Sequence, residues 1–241
     1  MTQVHCVLHA KGGVGKSLVA ALLAQYLVHA GVEPLCIDAD PLHATLARYA
    51  GLAVRPLPWH AGNALDARAF DTLLQWAAEA TQPVVIDTSA SIHLPLRHYL
   101  ASARAQPRLA RMRHGWVLHT VVPGGPAFLE SVNGLTQLLA DWPEGTRCVL
   151  WLNPYWGALA HAGQGIEALA AYRAQRQRIA ALLHLPALRP QTDGRALAAL
   201  LARHMTFAEA LATPALGILE RQRLRQLQRA LFAQLDMALV Q

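Results

Sequence analysis

The chain has 241 residues and a formal net charge of +6, with 54% hydrophobic and 15% charged residues. This apolar content, without a low-complexity tract, excludes a mainly disordered chain. The longest strongly apolar stretch, Leu18–Ala30, is shorter than the roughly 20 residues of a membrane-spanning helix, which excludes an ordinary transmembrane protein. Because the first residues also lack the basic segment of a secretory signal, we expect a cytoplasmic protein with one domain over residues 1–241.

The cysteines and histidines do not form the pattern of a metal site. Cys6, Cys36 and Cys148 are odd in number, far apart and set in apolar runs, which predicts buried free thiols. His5 and His9 could share one strand face, but they would then lie roughly 13 Å apart. That distance is too large for one ion that both rings bind at about 2 Å, so we expect no metal site built from Cys or His.

The first predicted elements are a buried strand over 3–9 and an apolar helix over 18–30, joined by a glycine-rich loop. The loop reads Lys11-Gly12-Gly13-Val14-Gly15-Lys16-Ser17, and this order of strand, loop and helix is typical of a phosphate-binding loop (P-loop). The glycines let backbone N–H groups wrap closely around phosphates, and the start of the helix adds positive potential. We therefore expect the backbone of residues 12–15 and Lys16 to bind the phosphates of a nucleotide, and the Ser17 hydroxyl to bind Mg²⁺.

Lysine occurs only twice in the chain, at Lys11 and Lys16, whereas the other 19 of the 21 basic residues are arginine. The arginines are scattered along the predicted helices, so the net charge by itself does not indicate a partner. Two compact ammonium groups within one glycine loop favour contact with phosphate.

The next predicted strand, over 34–38, ends in Asp38-Ala39-Asp40-Pro41, before a helix predicted around 42–49. Ligands of open parallel sheets gather beyond the carboxyl ends of the strands. Two carboxylates at such an end are costly unless they face a cation or a reacting water. A cap on the following helix is a second role for Asp40 and is compatible with the first.

A third strand, over 83–87, also ends in an aspartate, Asp87, as in a Walker B element that holds Mg²⁺ through a water. The remaining strands are predicted over 115–122, 147–152 and 184–188. Helices are predicted over 66–80, 95–111, 127–140, 165–183, 194–204 and 216–240, and the loosest stretch is 51–64. Apolar strands that alternate with helices predict an α/β fold with a mostly parallel sheet and helices on both faces.

The glycine loop departs from the ordinary P-loop pattern, because Ala10 stands where the first glycine is expected and Lys11 follows at once. In this it resembles the deviant Walker A loop of the MinD/ParA family of ATPases. There the extra lysine reaches across a dimer interface to the nucleotide of the partner. The resemblance therefore implies a P-loop NTPase fold, ATP and Mg²⁺ as cofactors, and an ATP-dependent sandwich dimer to which Lys11 contributes.

The same resemblance implies roles for residues outside the loop. The segment 38–41 is similar to the family's D-x-D-P motif, in which Asp40 would orient or activate the attacking water. Asp38 would support Mg²⁺ and the switch region. Asn153 stands where the family places an asparagine that reads the adenine edge, and Pro186 would line the base pocket. Residues 88–91 differ from the Pro or Gly that the family places after the Walker B aspartate, which leaves open how this loop couples to the γ-phosphate.

Several segments also resemble a subgroup, the TraL family of conjugal transfer proteins. The most specific is Trp151–Gly157, and the likeness extends over about residues 3–235. It implies a role in plasmid conjugation and a protein partner from the transfer apparatus. Two alternatives stay open: a nucleotide-binding scaffold that does not hydrolyse ATP, which the altered segment 88–91 favours, and a small-molecule kinase or ligase, for which no acceptor pocket is evident.

The last segment, residues 214–241, contains leucines at spacings of three and four with arginines on another face, which predicts an amphipathic helix. We expect it to pack against the rest of the protein rather than on a membrane, since its apolar face lacks Trp and a lysine cluster. A partner-binding helix is the second reading. Non-specific, salt-sensitive contact of the dispersed arginines with DNA also stays open.

Overall fold

The computed structural model describes residues 3–59, 67–102, 105, 108–109, 115–140, 142, 145–187, 193–214 and 216–239. Its strands are β1 (Gln3–Val7), β2 (Leu35–Asp38), β3 (Val54–Pro56), β4 (Val84–Asp87), β5 (Gly115–Pro123), β6 (Arg147–Asn153), β7 (Ala160–His161), β8 (Gln164–Gly165) and β9 (Ile179–His184). Its helices are α1 (Lys16–His29), α2 (Ala67–Glu79), α3 (His93–Ala101), α4 (Phe128–Asn133), α5 (Leu135–Ala140), α6 (Ala170–Ala174), α7 (Asp193–Ala202), α8 (Phe207–Ala212) and α9 (Ile218–Leu239).

Seven strands form one sheet in the order β3-β2-β4-β1-β5-β6-β9, and each neighbouring pair is parallel. Strands β7 and β8 form a separate antiparallel hairpin. The central strands are apolar along their length because both faces of a parallel sheet are buried. One apolar cluster packs α2 to α6 against one face, through residues such as Phe70, Tyr99 and Phe128. A second cluster packs α1, α7, α8 and α9 against the other face. The predicted α/β class, with a mostly parallel sheet and helices on both faces, is confirmed.

The largest departure from the sequence prediction lies between β6 and α7. The prediction of a single helix over 165–183 is wrong, because this segment contributes to the hairpin and forms α6 and β9. Ala181 lies opposite Val149 of β6, and Leu183 lies opposite Trp151. This long-range pairing overrides the helix propensity of alanine and leucine. The strand predicted over 184–188 is displaced, since β9 ends at His184, and residue 188 lies outside the described residues.

Smaller departures concern element ends. The helix predicted around 42–49 is only a 3₁₀ turn over Leu46–Arg48. The helix predicted over 127–140 divides into α4 and α5 at Gly134. The loose stretch 51–64 contains the edge strand β3, which includes Pro56, a residue that sheets accept at their edges. Helix α3 begins two residues before the predicted 95–111 and ends at Ala101, and residues 103–114 lie largely outside the described part.

The C-terminal helix α9 packs against the body of the protein, as expected. Its buried side chains belong to the same cluster as α1: Leu224, Leu231, Phe232, Leu235 and Ala238. The hydroxyl of Tyr26 in α1 donates a hydrogen bond of 2.8 Å to Asp236 of α9. No helix of the described residues combines the length and the apolarity that crossing a membrane would need.

A buried polar chain, here called the histidine chain, links three neighbouring strands through His5 (β1), His119 (β5) and Trp151 (β6). The Trp151 indole N–H donates to Nδ1 of His119 at 3.0 Å. His119 therefore carries its proton on Nε2, which donates to Nδ1 of His5 at 3.0 Å. Burial lowers the pKa of His5 to about 4 and that of His119 well below its usual value, so both rings are neutral. The three cysteines, Cys6, Cys36 and Cys148, are also buried, and they are free thiols as predicted.

Candidate functional site

A cleft of about 520 Å³ lies beyond the carboxyl ends of β1, β2 and β4. Three loops line it: the P-loop after β1, a loop after β2 and a loop after β4. The lining residues are Gly12, Gly13, Gly15, Lys16, Ser17, Leu18, Asp40, Leu42, His43, Thr45, Thr88, Ser89, Ala90 and Ser91. Because the strands are parallel and adjacent, residues from three distant parts of the sequence meet at this edge.

The P-loop needs glycine for its backbone conformation. Gly13 has a φ of 72° and Gly15 a φ of 111°, both in the left-handed region that other residues rarely adopt. A Cβ atom on Gly15 would also lie 3.3 Å from Nδ2 of Asn153. Gly15 immediately precedes α1, so its conformation lets the chain turn directly from the loop into the helix. The start of α1 therefore faces the cleft with its free N–H groups.

The two lysines of the loop have different environments. Lys16 is buried, and its ammonium donates a hydrogen bond of 2.9 Å to the backbone carbonyl of Lys11. Burial lowers the pKa of Lys16, and the nearby carboxylates of Asp87 and Asp40 oppose this shift. The Lys11 side chain, in contrast, is exposed. Lys16 is thus held inside the cleft, whereas Lys11 extends from the surface of the protein.

His9 is a site residue whose role sequence reasoning missed. It is buried between β1 and the P-loop, and its Nδ1 accepts a hydrogen bond of 2.9 Å from the backbone N–H of Lys11. Burial, and next the Lys16 ammonium, lowers the pKa of His9 to about 4, so the neutral ring stays an acceptor. The signal for this role in the sequence is the place of His9 between a strand end and the P-loop.

Asp87 is a buried carboxylate at the end of β4. Neither of its oxygens has a hydrogen-bond partner among the described residues. Burial, and next the nearby Asp38, raises its pKa to about 7, while the Ser17 hydroxyl and the Lys16 ammonium close to it oppose part of the rise. A buried carboxylate without a partner is costly. An oxygen donor of this kind beside the Ser17 hydroxyl fits a hydrated Mg²⁺ ion.

Asp38 organises the loop that follows β2. Its Oδ1 accepts the backbone N–H of Asp40 at 3.0 Å, and its Oδ2 accepts the backbone N–H of Ala47 at 2.8 Å. Burial raises the pKa of Asp38, and these backbone hydrogen bonds oppose the rise. Both ends of the loop are thereby fixed to one carboxylate. This competition for backbone N–H groups explains why no regular helix forms over 42–49.

Asp40 lines the cleft opposite the P-loop. Its Oδ1 accepts the backbone N–H groups of Leu42 and His43, at 2.9 and 3.2 Å. It therefore caps a turn rather than the predicted helix. Its Oδ2 lies 3.5 Å from Nδ1 of His43, an exposed residue. Oδ2 accepts no backbone hydrogen bond among the described residues, so it is the oxygen of Asp40 that is more available to a ligand or a water.

Asn153 contacts the P-loop from the end of β6. Its Nδ2 donates to the Val14 carbonyl at 2.9 Å, and its Oδ1 accepts the backbone N–H of Tyr155 at 3.1 Å. One N–H of its amide remains for a ligand. Asn153 is buried, and Pro186, which follows β9, is half-buried; neither is among the described residues that line the cleft. The adenine roles of Asn153 and Pro186 stay predictions.

The comparisons with known proteins agree with this geometry. A family model described as the CobQ/CobB/MinD/ParA nucleotide binding domain matches residues 6–231. Two curated relatives from Escherichia coli, both named Protein TraL, are 45% and 46% identical to this chain over the full length of both sequences. Among solved structures, the MinC:MinD cell division protein complex of Aquifex aeolicus matches with a TM-score of 0.53 and 14% identity, covering 96% of each chain. This last likeness concerns the fold alone.

Proposed function

Because the chain belongs to the CobQ/CobB/MinD/ParA nucleotide-binding family, and within it to the TraL proteins, we propose that it is an ATP-dependent dimerisation switch in plasmid conjugation. In this proposal Mg²⁺-ATP joins two copies of the chain, hydrolysis separates them, and a protein of the transfer apparatus binds one of the two states. The observation that carries the proposal is the buried Asp87 carboxylate, which lies close to Lys16 and Ser17 of the P-loop and whose oxygens have no geometrically good hydrogen bond among the described residues.

The phosphates of ATP are assigned to the P-loop. The backbone N–H groups of residues 12–15 and the Lys16 ammonium would hold the β- and γ-phosphates. Mg²⁺, when bound, neutralises charge on these phosphates; the Ser17 hydroxyl would bind the ion directly, and Asp87 through a water. Asp38 would support the ion at longer range, since its oxygens already accept two backbone N–H groups. The free amide N–H of Asn153, together with Pro186, is proposed to contact adenine.

Hydrolysis is assigned to Asp40 and the two lysines. The less occupied oxygen of Asp40, Oδ2, would orient the attacking water. Lys16 would stabilise charge on the phosphoryl group within the same protomer. Lys11 would do so on the nucleotide of the partner copy, which its exposed position supports. Most of the catalytic effect would then come from positioning and from charge stabilisation.

Two other functions have some support in the sequence and the structure. A nucleotide-binding scaffold that does not hydrolyse ATP is favoured by one observation, the replacement of the family's Pro or Gly by hydroxyl side chains over 88–91. Non-specific DNA contact rests only on exposed arginines such as Arg225 and Arg229 of α9. Membrane binding is not proposed, since the apolar face of α9 is packed against the body.

The first test is the solution mass of the Asp40→Ala protein by light scattering, with Mg²⁺-ATP and then with Mg²⁺-ADP. We expect a dimer with ATP and a monomer with ADP, because loss of the water-orienting carboxylate traps the ATP state. Lys11→Ala in the same background should abolish the dimer. Arg225→Ala, which removes one exposed positive charge on α9, is the matched control. A mass that no nucleotide changes would overturn the dimer and favour the scaffold.

A further inference from the structure

The loop after β4 carries three hydroxyl side chains, Thr88, Ser89 and Ser91, and all three line the nucleotide cleft. They stand directly after Asp87, where the family's Pro or Gly is missing. The loop therefore presents side-chain donors on the wall opposite the P-loop. The functional roles assigned above use none of these three hydroxyls.

Thr88 fixes the start of this loop. Its hydroxyl donates a hydrogen bond of 2.6 Å to the backbone carbonyl of Val7, the last residue of β1. Val7 is also the parallel partner of Asp87 in the sheet. The hydroxyl proton of Thr88 is therefore used within the fold, and the loop leaves the sheet at a set position relative to the P-loop.

Ser89 and Ser91 form a pair whose hydroxyl oxygens lie 2.8 Å apart. The two hydroxyls carry two protons, but the bond between them uses only one. Among the described residues, the structure gives neither hydroxyl another partner. Ser89 is only 8% exposed, so bulk water competes weakly for its hydroxyl. The pair therefore keeps one donor for a ligand in the cleft.

The chemistry of the opposite wall identifies that ligand. The buried Lys16 ammonium and the start of α1 favour an anion with several acceptor oxygens, such as a phosphoryl group. The carboxylates of Asp40 and Asp87 would repel a free anion. They favour a phosphate that arrives with a divalent cation, as the last phosphate of a nucleoside triphosphate does.

We propose that the Ser89–Ser91 hydroxyl pair donates a hydrogen bond to the γ-phosphate and makes the cleft prefer a nucleoside triphosphate to a diphosphate. The inference rests on the proposed nucleotide site and adds the residues that distinguish its two nucleotide states. The loop continues into α3, where the Ala90 carbonyl accepts the backbone N–H of His93 at 3.3 Å. A contact with the γ-phosphate would therefore act on the first turn of α3, which carries the exposed Leu94.

The test compares the affinities of the protein for the non-hydrolysable triphosphate AMP-PNP and for ADP. Both are measured with Mg²⁺ by displacement of methylanthraniloyl-ADP, in the wild type and in Ser89→Ala/Ser91→Ala. We expect the double variant to bind AMP-PNP about tenfold or more weakly and ADP within twofold of the wild type, since a hydrogen bond to a charged group is lost. Ser91→Thr, which keeps a hydroxyl, should keep the preference, and Ser131→Ala on α4 is the matched control.

The outcomes separate this inference from the function on which it rests. A wild type that binds neither nucleotide overturns both. A wild type that prefers the triphosphate, with a double variant that prefers it equally, overturns the hydroxyl pair alone. Equal losses for both nucleotides would show that the pair only supports the loop, which also overturns the inference. If the double variant does not fold, Ser91→Asp replaces it, because Ser91 is exposed and its position tolerates a carboxylate. That carboxylate would accept the Ser89 proton and repel the γ-phosphate, so an unchanged preference for AMP-PNP would overturn the inference.

Discussion

Two buried polar groups lie close together in the sheet, the histidine chain on β1, β5 and β6 and the Asp87 carboxylate at the end of β4, and they differ in how their hydrogen bonds are satisfied. In the histidine chain, both ring nitrogens of His119 have partners, in His5 and Trp151. The oxygens of Asp87, in contrast, have no hydrogen-bond partner among the described residues. A satisfied buried group stabilises one fold, whereas an unsatisfied one lowers stability unless a ligand completes it. We therefore expect the histidine chain to stabilise the fold and Asp87 to contribute to ligand binding.

Replacing Asp87 by Asn should have opposite effects on stability and on binding. Burial raises the Asp87 pKa from 3.8 to about 7, so the folded state binds more protons than the unfolded state between these pH values. The free energy of unfolding without ligand therefore falls as the pH rises through this window, by on the order of 4 kcal/mol. Asp87→Asn removes this loss and should stabilise the protein at pH 8, with little effect near pH 4. It should also weaken Mg²⁺-ATP binding at least tenfold.

Urea unfolding at pH 4.5 and pH 8, with calorimetric titration of Mg²⁺-ATP, measures both effects. Asp236→Asn is the control, since that carboxylate is exposed and accepts a hydrogen bond from Tyr26. The assignment of Asp87 to the ligand fails if Asp87→Asn destabilises the protein at pH 8 and leaves Mg²⁺-ATP affinity intact.

Breaking the histidine chain should give the converse result. His119→Leu leaves the Trp151 N–H and Nδ1 of His5 buried without partners, which should lower the free energy of unfolding by about 3 kcal/mol. Nucleotide affinity should stay within twofold of the wild type, because none of the three side chains lines the cleft. Urea unfolding and displacement of methylanthraniloyl-ADP measure the two quantities, with the exposed His98→Leu as control. A tenfold loss of affinity in a folded protein would contradict the division between fold and ligand.

The same comparison predicts opposite responses to pH. The pKa of His5 and of His9 is lowered to about 4, and that of His119 lies well below its usual value. Between about pH 4 and 6.5 the folded state therefore binds fewer protons at these rings than the unfolded state. Stability is lost as the pH falls through this window, by about 3 kcal/mol for His5 alone.

The carboxylates partly hide this histidine effect, since the raised pKa of Asp87 and of Asp38 gives the opposite slope. The measurement is therefore the urea midpoint at four pH values between 4.5 and 7.5 in the Asp38→Asn/Asp87→Asn protein, which lacks both of these carboxylates. We expect the midpoint to fall steadily below pH 6.5. A midpoint that rises on acidification would show that the histidines are not held neutral by the fold.

The position of the P-loop and of the strand-end aspartates at one edge of the sheet follows from local rules, whereas the roles of these residues stay predictions. Gly13 and Gly15 stand where the backbone needs left-handed conformations, and Asp38 and Asp87 each end an apolar strand. Parallel strands bring such ends to one edge, so their meeting follows from the fold class. The sequence could not show that both Asp38 oxygens accept hydrogen bonds from backbone N–H groups, since these bonds depend on the path of the loop over 40–47.

The secondary structure at the other edge of the sheet, around β6 and β9, was predicted poorly because it depends on contacts between residues distant in the sequence. Strand β9 is rich in Ala and Leu and becomes a strand only by pairing with β6. The turn at Gly124 and Gly125 has no room for a Cβ, because the backbone of Trp156 and Gly157 packs against it. Such contacts join residues about 30 positions apart, so a local sequence pattern does not predict them.

The smallest predicted effect concerns His9, which follows β1 in the chain and is buried next to the P-loop. Its Nδ1 accepts the backbone N–H of Lys11, and the carbonyl of Lys11 in turn accepts the Lys16 ammonium. Both backbone groups of Lys11 are thus fixed, and only its side chain is free to reach a partner. We expect His9→Leu to weaken ATP-dependent dimerisation about threefold to tenfold, whereas His9→Asn, whose Oδ1 can replace Nδ1 as acceptor, should stay close to the wild type.

The measurement is the protein concentration at which half of the Asp40→Ala protein is dimeric with Mg²⁺-ATP, by light scattering. Lys11→Ala cannot serve as a background, because it is expected to abolish the dimer. His9→Leu therefore acts through the P-loop if it weakens dimerisation while His9→Asn, which keeps an acceptor for the Lys11 N–H, restores the wild-type concentration. Equal losses of dimerisation in both variants, with an equal fall of the urea midpoint, would instead place His9 with the histidine chain, as a residue of the fold. Because His9 is buried like that chain but accepts a hydrogen bond from the P-loop, the difference between these two variants decides which role it has.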